Sequence, residues 1–346
     1  MVRIEKQAKK QTKKQTKKQS KGGFMNQLFG AACVLTALMW SSLAPAQPTY
    51  PSRPVHMIVV YPAGGGADLL ARTLGETIQR QTGQPLVVEN RAGASGMIGT
   101  TACKNAPPDG YTFCLVLSDV VTINPHLFKN IAYDVDKDLV PVASLAETGS
   151  VVVVGSAVPA NNLRELADYS NANKDKANWG SFGVGSSSHL MLEVFNKSLG
   201  ASLTHVPYRG VPQLVTALLT REVDVSILVY GQVSQYLAKG EMKVLASTGA
   251  RRLPQIPDVP SVAEQGLNSA PVNWYGVFAP TGTPAEVVAR MNQLLNESLA
   301  DPTVRKLLDV QGFFPVPDTP GSFGERVKKD RESWRPVARG LNLSLD

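Results

Sequence analysis

Val55-His56-Met57-Ile58-Val59-Val60-Tyr61-Pro62-Ala63-Gly64-Gly65-Gly66-Ala67-Asp68 opens the stretch, Val55 to Gly99, whose reading decides the fold of this 346-residue chain. An apolar run breaks into a glycine-rich turn. A helix-like segment, Leu69 to Gln81, follows, and a second apolar run, Pro85 to Val88, ends in Glu89-Asn90-Arg91-Ala92-Gly93. Strand, glycine turn, helix, strand is a βαβ unit. Its glycines let the backbone approach a ligand closely, and the start of the helix aims unpaired N–H groups at whatever lies there. That geometry favours a small anion.

Working outward to the N-terminus, residues 1–23 form a Lys/Gln/Thr repeat, and Phe24 to Leu43 is apolar and uncharged. Ala44-Pro45-Ala46 supplies small residues, so residues 1–46 read as a basic leader with a secretory signal, cleaved after Ala46. A transmembrane anchor is the bland reading, disfavoured because Asn26, Gln27, Gly30, Thr36, Ser41 and Ser42 interrupt the apolar run. Translation from Met1 and from Met25 both fit. A lipoprotein reading through Cys33 is weak, because that cysteine lies inside the apolar run. The leader holds nine Lys/Arg and one acid, a net +8, against +7 for the whole chain, which leaves the body at −1. The basic pI belongs to the leader, and the body offers no nucleic-acid footprint.

The body alternates apolar runs with helical patterns and reads as α/β. Strands are expected at 55–61, 86–89, 112–117, 140–143, 151–154, 178–181, 204–206, 223–228, 243–247 and 274–278. Their unalternating apolar character suits parallel sheets buried on both faces. Asn162 and Thr283 are expected N-caps. Val287, Val288, Met291, Leu294, Leu295 and Leu299 form one apolar helix stripe for the core. Two further strand-to-helix turns occur, at Gly183-Val184-Gly185-Ser186-Ser187-Ser188-His189 and at Val206-Pro207-Tyr208-Arg209-Gly210. Three strand ends therefore feed helix N-termini. Ligands in open α/β sheets lie beyond the carboxyl ends of strands, and each N-terminus favours an anion by ~0.3–1 kcal/mol. For Cys103 and Cys114, a disulfide in an oxidising compartment and two buried thiols are both open. The four histidines lack ligand spacing for a metal.

These segments together resemble the substrate-binding proteins of tripartite tricarboxylate transporters, the Bug-type receptors. The resemblance rests on Pro54 to Asp68, Val88-Glu89-Asn90-Arg91-Ala92-Gly93, Pro108-Asp109-Gly110-Tyr111-Thr112, the two turns just quoted, Pro257-Asp258-Val259-Pro260-Ser261-Val262-Ala263-Glu264, and Phe278-Ala279-Pro280-Thr281-Gly282-Thr283-Pro284. It covers residues 48 to 340. It implies a two-lobed periplasmic binding protein-like fold, type II or Venus-flytrap, with two mixed sheets flanked by helices. It divides the body into lobe 1, residues 47–149 and 276–346, and lobe 2, residues 150–275. Hinge bending is expected near 148–154 and 272–278. The implied function is a monomeric periplasmic receptor that captures a small carboxylate between its lobes and hands it to transporter subunits in the membrane, with no cofactor and no catalysis.

In the family, main-chain amides and ordered water hold the carboxylate. Carried over by motif, the positions are Tyr61, Ala63, Gly65, Gly66, Asp68, Ser186, Ser187, His189, Tyr208 and Gly210. Ser118 and Asp119, closing the strand 112–117, are further candidates, as are Arg209 and Leu228. Two departures stand out. The family usually has Ser or Thr where this chain has Ala67, and many members have Asp where it has Leu228. The missing acid disfavours an amino-acid ligand and favours a plain carboxylate with an apolar or aromatic body.

Each residue has a bland alternative. Asp68 caps its helix, Glu89 and Arg91 make a turn, and His189 ties its loop. Arg209 is either a bidentate carboxylate clamp or a solvated rim residue. Tyr61 and Tyr208 pack walls, and Trp274 is core. The rival class is an exported enzyme or a nucleotide-binding α/β protein. Gly64-Gly65-Gly66 is not G-x-G-x-x-G, and neither Gly93-Ala94-Ser95-Gly96 nor Gly183-Val184-Gly185-Ser186 has nucleophile-elbow spacing.

Overall fold

The computed structural model describes residues 50–249, 251–267, 272–340 and 345; the leader, its cleavage site, Met25 and Cys33 lie outside them. Two sheets organise these residues. The strands are β1 (Val55–Val59), β2 (Leu86–Asn90), β3 (Thr112–Leu117), β4 (Leu139–Thr148), β5 (Ser150–Gly155), β6 (Asn178–Ser181), β7 (Thr204–Pro207), β8 (Val225–Val229), β9 (Met242–Ser247), β10 (Trp274–Pro280) and β11 (Phe313–Pro315). One sheet has the order β11-β4-β10-β3-β1-β2 and the other β7-β6-β8-β5-β9.

The βαβ unit forms as read. β1 pairs in parallel with β2 and β3, and the helix Gly66–Thr82 buries Leu70, Leu74 and Ile78 against them. Burying each such side chain contributes ~1.5–3 kcal/mol. The helix starts three residues earlier than its apolar pattern shows, because the turn glycines continue into its first turn. Wholly parallel sheets do not form. β10 runs antiparallel between β3 and β4, and β5 runs antiparallel between β8 and β9. These strands carry the crossovers between the sheets, so direction is set by topology while both faces stay apolar. One such run is an edge: β2 alternates between partly buried and exposed residues.

Asn162 caps its helix by accepting from Glu165 N–H at 2.9 Å. Thr283 does not cap: its hydroxyl donates to Pro280 O at 2.8 Å, and the helix Ala285–Ala300 begins after Pro284. Val288, Met291, Leu294, Leu295 and Leu299 are buried in the core of the first sheet, with Val287 partly buried beside them. Cys103 and Cys114 are joined by a disulfide, with Cα atoms 5.8 Å apart. Both are fully buried.

The chain passes between sheets at Gly149, from β4 to β5, and returns between β9 and β10. The crossings are fastened side by side. Thr148 N–H donates to Asn273 O and Thr248 N–H to Ser150 O, each at 2.8 Å. A Cβ on Gly149 would lie 2.8 Å from Gly312 O, so the first crossing has no room for a side chain. Among the described residues, no helix is long and apolar enough to cross a membrane.

Candidate functional site

The first loop leaves β1 through Tyr61 and Pro62 and enters the helix Gly66–Thr82. Gly65 is its N-cap, in extended backbone with no side-chain cap. Leu69 N–H donates to Gly65 O at 3.0 Å, so the amides before it have no intrahelical acceptor. The loop is pinned from behind. Asp68 accepts from Gly64 N–H at 3.1 Å and pairs with Arg72 at 2.9 Å, while Asn90 Nδ2 donates to Tyr61 O at 3.1 Å. Burial acts to raise the Asp68 carboxyl, but hydrogen bonds from Arg72, Gly64 and Asn90 outweigh it and hold it below its ordinary value.

Facing this loop from the second sheet is the helix Val211–Thr220. Its N-cap, Gly210, is extended and again has no side-chain cap. A Cβ on Gly210 would come within 2.7 Å of Pro62 Cγ, so the two loops meet at van der Waals distance only because Gly210 lacks one. A Cβ on Gly66 would lie 2.9 Å from Tyr275 Oη and from Phe313 Cζ.

Between these starts lies a cleft of about 600 Å³, part of it open to solvent. Of the residues chosen from sequence, Tyr61, Gly65, Gly66, Gly210 and Leu228 line it. Leu228 borders it while belonging to the buried cluster of Val151, Leu214 and Val233. The other walls are Leu117, Phe182, Val211, Ile227 and Val229, with Thr148, Ser150, Gln232, Asn273 and Tyr275 as polar groups. None of the lining residues carries a charged side chain. An anion here meets amide and hydroxyl dipoles against an apolar wall.

The remaining candidates stand outside this cleft. Ala63 is exposed. Arg209 is exposed too, and its backbone N–H donates to Gln213 Oε1 at 3.3 Å. Tyr208 packs with the Leu214 and Val223 cluster; burial and nearby Glu222 push its hydroxyl up to about 12. Ser186 caps the helix Ser187–Leu199, accepting from His189 N–H and donating to Gly183 O at 2.7 Å. His189 Nδ1 accepts from Gly185 N–H at 3.1 Å, and its ring stacks on His205 with centroids 3.9 Å apart. Burial lowers the pKa of His189, and burial followed by the His189 charge lowers His205 to about 4. Two neutral rings thus brace the glycine turn.

Ser118, Asp119 and Ser187 join one polar cluster at the junction of the lobes. Tyr61 Oη donates to Asp119 Oδ1 at 2.9 Å. Asn273 Nδ2 donates to Ser187 Oγ at 2.7 Å, and Ser118 Oγ donates to Asn273 Oδ1 at 3.2 Å. Ser187 lines a smaller cavity that shares Thr148, Ser150, Ile227 and Asn273 with the main cleft. Sequence reading missed Phe182, Gln232, Asn273 and Tyr275. Asn273 and Tyr275 lie in a segment legible as a crossing, but no motif marks them as lining residues. Gln232 is set by an accepted bond from Val229 N–H at 3.1 Å.

Two mixed α/β lobes joined by paired crossings, with helix starts from both at one uncharged cleft, define a solute-binding protein of the two-lobed periplasmic type, a fold shared with solved periplasmic binding proteins. The chain belongs to the tripartite tricarboxylate transporter family of receptors: residues 70–343 match the family described as "Tripartite tricarboxylate transporter family receptor". It is 33% identical to protein BugT of Bordetella pertussis over 299 residues, 86% of this chain and 92% of that one. Among solved structures, it is similar to MatC of Rhodopseudomonas palustris with bound malate (31% identity, TM-score 0.79, covering 84% of this chain and all of that one). It is also similar to Rpa4515 of R. palustris with adipate (28% identity, TM-score 0.82, covering 85% and 99%).

Proposed function

We propose that this receptor captures a small organic acid by its carboxylate in the cleft between the lobes and delivers it to tripartite tricarboxylate-type membrane subunits. The observation that carries the reading is the facing pair of helix starts without side-chain caps, Gly65–Gly66 and Gly210–Val211, at a cleft with no charged side chain. Amide dipoles suit a carboxylate, and the apolar wall suits an aliphatic or aromatic body. Malate in MatC and adipate in Rpa4515 are acids of that kind. The wall at Leu228 offers no partner to a ligand amine. Export by the leader, action as a monomer in the periplasm, absence of catalysis and division of the lobes near residues 149 and 275, with bending at the two crossings, complete the reading.

A thermal-shift screen across dicarboxylates, aromatic acids and nicotinate-like acids, followed by calorimetry, tests it. A carboxylic acid is expected to raise Tm and to titrate at one site. If only amines, sugars or nucleotides bind, the reading fails. Gly65 is the position for a steric test. A Cβ there meets only Pro62 O, at 3.5 Å, so Gly65→Val obstructs the anion without the clash a Gly66 variant creates in the core.

A further inference from the structure

The polar side chains that line the cleft are unequally engaged. Tyr61 Oη donates to Asp119, Thr148 and Ser150 share a hydrogen bond at 3.1 Å, and both ends of the Asn273 amide are bonded. The Tyr275 hydroxyl and Gln232 Nε2 line the same cleft with no hydrogen-bond partner among the described residues. Tyr275 is only 6% exposed, and a buried tyrosine hydroxyl ordinarily finds a partner. Burial, and then the nearby Asp119 charge, holds its pKa well above the usual value, so it stays an O–H. Gln232 is the third residue of the helix Tyr230–Ala238, and its Oε1 accepts from the N–H of the N-cap Val229 at 3.1 Å. That bond fixes the side-chain amide: with Oε1 taken by an N–H, Nε2 presents only donors to the cleft. The two groups converge. A Cβ on Gly66 would lie 2.9 Å from Tyr275 Oη and 3.2 Å from Gln232 Nε2, so both flank the residue that opens the first helix.

We infer that Tyr275 and Gln232 complete the carboxylate seat at the start of the helix Gly66–Thr82, donating to the oxygens of the acid that its free amides receive. This rests on the carboxylate reading of the cleft. The seat draws on both lobes: Gly66 follows β1 and Tyr275 lies in β10 of the first sheet, while Gln232 follows β8 of the second. A bound carboxylate ties the lobes together through its own oxygens. The seat also carries specificity. Backbone N–H groups and Nε2 only donate, which matches a carboxylate, because it only accepts. A carboxamide of the same shape turns an NH2 toward donors, and a site whose buried polar groups are left unpaired rejects such an analogue strongly.

Benzoate, malate and adipate, with benzamide and adipamide beside them, are titrated into the dialysed full chain. NMR follows isotope-labelled backbone and glutamine side-chain amides, and the Gln232 pair is assigned by its loss in Gln232→Glu. An acid is expected to shift the Gly66 N–H and the Gln232 side-chain pair together, and each carboxamide to bind at least about tenfold more weakly than its acid. Tyr275→Phe keeps the ring against Phe313 and is expected to weaken the acid about tenfold or more, the scale of one hydrogen bond to a charged group. Gln232→Glu keeps an oxygen for Val229 N–H but sets a charged acceptor where the donor stood, so it is expected to weaken the acid further. A Gln232 that served only its own helix would lose nothing by that change. An acid that shifts the Gly66 N–H and not the Gln232 pair overturns the seat, as do Tyr275→Phe and Gln232→Glu variants that fold and bind like the parent. Either result leaves the carboxylate reading standing. If no acid shifts any cleft amide, the carboxylate reading itself fails and the seat with it. Should Gln232→Glu not fold, Gln232→Ala assigns the pair and Tyr275→Phe decides.

Discussion

The helix starts at Gly66 and Val211 differ from the one at Ser187 in what satisfies their amides. The first two follow glycine caps and open on the cleft. The third follows a serine whose hydroxyl accepts from His189 N–H within its own first turn. All three look alike as glycine- and serine-rich turns after strands. On the proposed function, the solute meets the helix starts that have no side-chain cap and not the one that serine caps.

Four substitutions break or sharpen that contrast. The largest effect is expected from Gly210→Val, whose side chain meets Pro62 only when the loops touch. Overpacking costs ~1–3 kcal/mol; falling on the closed form alone, it weakens the acid found by screening by about 5- to 150-fold in calorimetry. Denaturant unfolding of the solute-free variant should be nearly unchanged. Gly65→Val comes next. It is expected to lose about tenfold or more in affinity, with one anion-directed hydrogen bond displaced, while Tm moves little.

At the third start the pattern should invert. Ser186→Ala removes the cap and is expected to cost ~1 kcal/mol of stability by denaturant unfolding, with solute affinity unchanged. Strong loss of affinity with unchanged stability would place Ser186 in solute contact and erase the distinction. The smallest effect concerns the histidines behind that turn. His205 has a native pKa near 4, against 6.5 when unperturbed. Its contribution to stability is therefore complete above pH 6.5 and is lost as the pH falls toward 4. In His205→Gln that loss is absent, so Tm of the variant minus Tm of the parent should become more positive between pH 7 and pH 5. A difference independent of pH would mean that the buried ring is not neutral.

The candidate site was legible in part. Glycine turns after apolar runs located Gly65, Gly66 and Gly210; at Gly66 and Gly210 only a residue without a side chain allows the approaches to Tyr275 and Pro62. His189 and Ser186 looked equivalent to them, since motif spacing does not reveal that a hydroxyl or ring nitrogen turns back on its own loop. Asn273, Tyr275 and Gln232 carry no local signal. They reach the cleft because β10 returns to the first sheet and because the helix Tyr230–Ala238 starts beside the first crossing.

By itself the sequence determined the α/β class, the βαβ opening, the apolar stripe of the helix Ala285–Ala300 and the glycine-bounded helix starts. All of these follow from short-range periodicity and backbone freedom. Only the tertiary structure decided that β5 and β10 run against their neighbours, that Cys103 meets Cys114, and that Asn273 links Ser118 to Ser187. Those outcomes depend on which distant segments share a junction, and chain crossings set that where local pattern does not.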